Sequence, residues 1–308
     1  MYYHVQKLIN PIPDDEPDPA AANALQEGLG GQFGEMRTMM QYLFQSFNFR
    51  GKAKPYLDLI HGVGIEEISH VELIATTINR LLDGSPRYKG AEMGDGGAGT
   101  PLDIAVGRDG ANGIHNIHHF LVGAQGAMPV DAVGNPWSGS YVYNSGNLTL
   151  DLLYNLMLEA TGRLQKCRLY EMSSNKTYRA TVAYLIARDA AHEKVFAKAL
   201  QSLGVDFGKV LPIPKFDVDK FPEVKTLMDL GLDKQQFNFR MDGTTMGAIL
   251  NGASPVPGDA NFSVAPPPEG VPITPAPERA EEFSPGLPPE LKAMAEQMAA
   301  MAESAAKA

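Results

Sequence analysis

The stretch GIEEISHVELI, residues 64–74, places Glu67 and His70 three positions apart among isoleucine, leucine and valine. At helical spacing the two share a stripe with Val63 and Ile74. Glu66 is rotated by about 100° from Glu67, toward solvent or an outer layer around the pair. A carboxylate and an imidazole on one inward face are a pair of metal ligands; on an outward face they are only polar surface. Taken alone the pair decides nothing, because glutamates in helices mostly meet water and Glu-x-x-His arises by chance.

Three further groups change the balance. In GEMRTMMQY, Glu35 shares a face with Met39 and Tyr42. In LTLDLLYNLMLEATGRLQK, Glu159 shares one with Leu152, Asn155, Leu156 and Lys166. In YLIARDAAHEKVF, His192 follows Asp189 by three. One carboxylate, a Glu-x-x-His, a second carboxylate and a second histidine, one set per helix, is the pattern of di-metal carboxylate bundles. Buried carboxylates without such partners would be too costly to keep. Oxygen and imidazole donors without thiolates suit manganese or iron. With Glu35, Glu67, Glu159, His70 and His192 as ligands, three negative charges face the four positive charges of two divalent ions. That leaves room for a bridging oxide or hydroxide and open positions for a small oxygen ligand, a redox site for peroxide or dioxygen.

Four helices must position these groups. Periodicity predicts the first over about 20–49, with Gly28, Gly30, Gly31 and Gly34 implying close packing. The second spans about 54–82, with Pro55 in its first turn and Gly84 as its stop. The third spans about 148–172 behind an Asn147 cap, and the fourth about 176–204 after the short turn SSN. Residues 84–146 hold 14 of the 31 glycines, a connection far longer than a helix hairpin needs. SYVYN near its end could be a short strand. Such a crossover joins parallel neighbours and gives an all-α core, a ferritin-like four-helix bundle over 20–205, preceded by an N-terminal arm over 1–19. From 206 to 308 the helical period fades into an extended proline-rich tail, either disordered or laid on a neighbouring subunit. A short terminal helix over about 288–306 would carry Leu291, Met294, Met298 and Met301 as a packing stripe.

Composition narrows the class further. The 308 residues are 44% hydrophobic with a net charge of -10, which argues against a nucleic-acid binder. No run reaches the roughly 20 apolar residues of a membrane span, and the N-terminus lacks a signal core, so a cytoplasmic protein is expected. The lone cysteine, Cys167, excludes an intrachain disulfide and reads as a packing residue.

The chain resembles the non-haem manganese catalases over roughly residues 1–205. The likeness lies in LGGQFGEMRTMMQYLFQSFNFRGK, in IEEISHVELIATTINRLL and in the loop NPWSGSYV. The resemblance implies that Glu35 and His70 hold one manganese and Glu159 and His192 the other, with Glu67 bridging. It also implies disproportionation of hydrogen peroxide, cycling between the +2 and +3 states, and a homo-hexamer whose C-terminal tails wrap neighbours. Tyr42 matches a tyrosine that hydrogen-bonds near the first metal ligand. Two positions depart from the family pattern. Leu158 stands where some members have arginine, which makes Lys166, ahead of Arg163, the better candidate for a positive group beside the metals. Asp189 stands where many carry glutamate; one methylene shorter, it would act as a proton acceptor or through water more readily than as a ligand.

Other signals carry less. His115, His118 and His119 in HNIHHF have no adjacent carboxylate and read as a polar loop cluster rather than a second metal site. GDGGAG lacks the ending of a phosphate loop. Asp58 could join a calcium site, or be an ordinary surface aspartate. The competing functions are a ferritin-like di-iron oxidase or metal-storage protein, and a structural assembly protein with a degraded site.

Overall fold

The structure is a computed structural model that describes residues 4–82, 126–206 and 220–273, and some residues between 293 and 304. It divides into two units, 1–274 and 275–308. In the second, residues 293–294, 296–298, 300–301 and 304 are helical, and Met294, Met298 and Met301 are exposed. Gly84, HNIHHF, GDGGAG and Leu291 lie outside the described residues.

The first unit is mostly helical. Its long helices are α1 (Pro19–Gly30), α2 (Glu35–Ser46), α3 (Lys54–Leu82), α4 (Leu148–Tyr170) and α5 (Lys176–Ser202). Three of these starts have a side-chain cap. Asp18 caps α1, its carboxylate accepting from the Ala21 amide ahead of Pro19. Asn147 caps α4 through the Leu150 amide at 3.1 Å, and Asn175 caps α5 through the Tyr178 amide at 3.1 Å.

The first helix expected from the sequence is two helices with a corner between them. A side chain at Gly30 would fall on the backbone of Val130, and one at Gly34 would come within 2.6 Å of the Leu29 carbonyl. Only glycine admits so close an approach, so the run that weakens the helix is also what lets it turn. The corner makes Glu35 the first residue of α2, where the helix dipole favours a carboxylate.

The helices pack as antiparallel pairs. Along α2 and α3, Leu43 meets Gly64 while Glu35 meets His70. Along α4 and α5, Arg163 meets Glu193, Lys166 meets Asp189 and Leu169 meets Tyr178. Between the pairs, Tyr42 reaches Glu159 and Glu66 reaches Arg188. Helices α3 and α4, joined by the long connection, therefore run parallel. SYVYN is not a strand. Gly139–Tyr141 form a 3-10 turn, and the Tyr143 peptide pairs with the side chains of Gln41 and Gln45 instead of a second strand.

Apolar side chains collect in two cores. Leu25, Leu73, Ile78, Tyr178, Val182 and Leu185 belong to one. Leu59, Ile60, Leu152, Val195 and Phe196 belong to the other. Along α3 the first core begins at Leu73 and the second ends at Val63, so residues 66–70 lie in a layer between them. Each fully buried leucine or phenylalanine contributes about 2 kcal/mol, which is what lets the fold hold a charged layer between two dry ones. Among the described residues no helix is long and apolar enough to cross a membrane.

Residues 220–273 lie against the chain's own helices. They add α6 (Pro222–Asp229), α7 (Gly247–Leu250) and the short strands β2 (Gln235–Phe237), β3 (Ser263–Ala265) and β4 (Val271–Pro272), the last pairing with β1 (Lys7–Leu8). Asp58 is one anchor. Its oxygens accept from Lys54 at 2.7 Å, Arg240 at 2.6 Å, and the Thr245 amide and hydroxyl at 2.8 and 2.6 Å. A calcium ion there would have to displace two cations. Burial works to raise the Asp58 pKa, but Lys54, Thr245 and Arg240 outweigh it and lower it. Asp58→Asn is expected to destabilise the fold by about 2 kcal/mol. Because the folded-state pKa is depressed, the difference is full above about pH 4 and fades as pH falls further. Thermal melts of both proteins from pH 7 to pH 3 check this; a gap that widens on acidification would contradict it.

Candidate metal centre

Glu35, Glu67, His70, Glu159 and His192 are all buried, and they converge from α2, α3, α4 and α5. They form two groups whose ligand atoms lie within 4.8 Å of one another: Glu35, Glu67 and His70, and Glu67, Glu159 and His192. Glu67 belongs to both. Its Oε2 is 2.8 Å from His70 Nδ1 and its Oε1 is 3.0 Å from His192 Nδ1. Glu35 Oε2 lies 3.6 Å from His70 Nδ1, and Glu159 Oε1 lies 3.7 Å from His192 Nδ1. Each imidazole thus turns Nδ1 toward carboxylates, and the rings lie nearly parallel with centroids 5.7 Å apart.

The donor set fits a pair of manganese or iron ions. Glu67 Oε1 and His192 Nδ1 are buried without a hydrogen-bond partner, a state a fold rarely keeps unless something else occupies those lone pairs. The surrounding charges cancel in pairs. Lys166 Nζ sits 2.7 Å from both Glu35 Oε1 and Asp189 Oδ2, and Arg188 Nε sits 2.5 Å from Glu66 Oε1. What remains is the charge of Glu35, Glu67 and Glu159, three negative units facing the cations they would bind.

Electrostatics follow the same geometry. Burial would raise Glu35, but the Lys166 ammonium and His70 hold it well below the usual carboxylate range. Burial pushes Asp189 well above its usual range; Lys166 pulls it down, while Glu35 and Glu159 push with burial. Burial also disfavours charge on the imidazoles, yet the carboxylates around them, led by Glu67 at His70 and Glu66 at His192, raise both. The carboxylates thus favour positive charge at both rings.

The residues expected to support the ligands lie close to them. Lys166, rather than Arg163, is the positive group at the centre; Arg163 instead makes a double hydrogen bond to Glu193 at 2.8 and 2.7 Å. Tyr42 differs from expectation in its partner. Its hydroxyl donates to Glu159 Oε1 at 2.6 Å, on the far side from Glu35, because α2 and α4 run antiparallel and bring position 42 level with 159. Asp189 belongs to neither ligand group and pairs with Lys166. Leu158 is buried among apolar neighbours.

Sequence reasoning missed Arg188 and Gln236. Arg188 lies four before His192 on a helix buried nearly all round, and an arginine on the histidine stripe was the available signal. Gln236 gave none. Glu66, left open between solvent and an outer layer, is fully buried.

A family model described as manganese containing catalase matches residues 1–303. A manganese catalase of Bacillus subtilis (strain 168) is 39% identical over 252 residues, covering 81% of this chain and 83% of the relative. Another from Bacillus subtilis is 40% identical over 244 residues, covering 78% and 80%. The crystal structure of KatB, a manganese catalase from Anabaena, matches with a TM-score of 0.56 at 21% identity, over 87% of this chain and 100% of that one. At that identity the last likeness is one of fold.

Proposed function

The chain belongs to the manganese-containing catalase family, and from that premise we propose how its own residues carry the disproportionation of hydrogen peroxide. Glu35 and His70 would hold one manganese and Glu159 and His192 the second, with Glu67 shared between them, within a ferritin-like four-helix arrangement. The observation that carries this is the membership of Glu67 in both ligand groups, one oxygen toward each imidazole. A manganese pair held by these residues would supply the two-electron redox chemistry of the disproportionation.

The chain's residues handle position and protons. Oxidation of one peroxide to dioxygen releases two protons, and reduction of the second to two waters consumes two. Asp189 is the acceptor of one of the two released protons in this reading: Oδ2 is tied to Lys166, which leaves Oδ1 to take it, and burial favours the protonated form. Lys166 fixes Glu35 and Asp189 relative to each other, and Tyr42 fixes Glu159. The two apolar cores keep bulk water from the layer.

Assembly into a homo-hexamer belongs to the same reading. Phe44 and Phe47 on and just after α2, and Leu150 and Met157 on α4, are about half exposed or more, the kind of apolar surface that subunit contacts cover. The cytoplasm suits a lone buried thiol, Cys167, which burial pushes up to about 11. The decisive experiment is dioxygen release from hydrogen peroxide by manganese-loaded protein beside an iron-loaded sample. Fast release with manganese alone is expected. Release with iron alone, or from neither, would move the function to iron oxidation or storage.

A further inference from the structure

Behind the two histidines sits a carboxylate that the ligand assignment does not use. Glu66 Oε1 lies 3.6 Å from His70 Nε2 and 3.4 Å from His192 Nε2, so one oxygen faces the outer nitrogen of both rings. Neither Nε2 has a hydrogen-bond partner. An imidazole that gives Nδ1 to a metal carries its hydrogen on Nε2, and that hydrogen sets ring orientation and donor strength through whatever accepts it. Glu66 is itself gripped. Arg188 reaches Oε1 through Nε at 2.5 Å and Oε2 through Nη2 at 3.2 Å, and Gln236 Nε2 donates to Oε2 at 2.8 Å.

The grip extends into the C-terminal segment. Arg188 Nη1 donates to the carbonyls of Leu232 and, at 3.0 Å, Gln235, and its guanidinium lies 4.1 Å from the centre of the Phe237 ring. Residues 232–237 are held on α5 by a separate contact, Lys194 to Asp233 at 2.7 Å.

We propose that Glu66 is a positioning residue shared by both metal-binding histidines, held in place by Arg188 and Gln236, so that residues 232–237 are part of the support of the metal centre. The proposal rests on the ligand assignment made above. It predicts that loosening Glu66 weakens both metal positions together, because one oxygen serves both rings.

The test uses the full chain and Mn(II) alone, titrated under anaerobic conditions and followed through the paramagnetic resonance of the free ion. Removing Glu66 by itself would strand the Arg188 charge, so the variant is the charge-neutral Glu66→Gln with Arg188→Met. It is expected to fold, by circular dichroism and melting, yet to bind Mn(II) about 10- to 100-fold more weakly at both positions. Parent-like affinity at both, or weakening confined to one, would overturn the shared role. If that variant folds poorly, Gln236→Leu keeps every charge and is expected to weaken both positions by a smaller, equal factor; unchanged affinity would overturn the proposal there too. The parent measured alongside separates the claims. A parent that binds no manganese pair defeats the ligand assignment, whereas a paired parent with unaffected variants defeats only the role of Glu66.

Discussion

Glu67→Ala is expected to give a folded chain that binds at most one manganese tightly and releases dioxygen at about one-thousandth of the parent rate or less, about 4 kcal/mol of lost barrier reduction. Glu67 alone belongs to both ligand groups, and its oxygens lie 2.8 and 3.0 Å from the two Nδ1 atoms. Alanine leaves each half with one carboxylate and one imidazole, too few to define a pair. The fold should survive, because both apolar cores lie away from position 67 and removing a buried carboxylate also removes its desolvation cost. Metal analysis of the purified variant, with circular dichroism, is the check. Two tightly held manganese ions per chain with parent-like turnover would show that Glu67 is not the bridge.

The second large effect is expected at Lys166. Its ammonium stands 2.7 Å from Glu35 and 2.7 Å from Asp189. In Lys166→Met the two carboxylates lose their shared cation, and Asp189, already raised by burial and its neighbours, holds a proton more tightly still. An acceptor that is already protonated cannot take a proton from peroxide. Turnover at neutral pH should therefore fall about 100-fold or more, with partial recovery as pH rises and Asp189 ionises. Asp189→Asn should lose turnover to a similar degree at every pH and keep its manganese. Dioxygen release between pH 6 and pH 10, with metal content at each point, separates the two. Parallel pH profiles for the parent and Lys166→Met would remove Asp189 from the proton path, and loss of manganese with Asp189→Asn would make it a ligand.

The helices that carry ligands were legible because their signals are local. Periodicity and the Asn147 cap set α4, and Lys54–Leu82 could be read directly as one uninterrupted helix. The clustering of the two carboxylate–histidine groups was legible for a related reason: a glutamate or histidine on an otherwise apolar stripe is costly, and its cost is visible in sequence. The corner at Gly31–Gly34 was not, since the glycines that allow the close approach of backbone, of Val130 at Gly30 and of Leu29 at Gly34, read in sequence only as a weak, closely packed helix. The partner of Tyr42 was likewise hidden until the antiparallel run of α2 and α4 was known. Glu66 and Gln236 illustrate the limit most clearly. The function of Glu66 lies in what stands behind it, and Gln236 comes from a segment with no periodicity to betray that it folds back.

That return of the C-terminal segment has a bearing on how the protein is made. Synthesis runs from the N-terminus, so Glu35, Glu67, His70, Glu159 and His192 have all been translated before Leu232, Gln235 and Phe237, the residues that embrace Arg188. For that interval the nascent chain carries all five carboxylates and histidines of the proposed centre, while Arg188 still lacks these partners. The contacts of Arg188 with residues 232–237 can therefore form only after all five of these carboxylates and histidines have been synthesised.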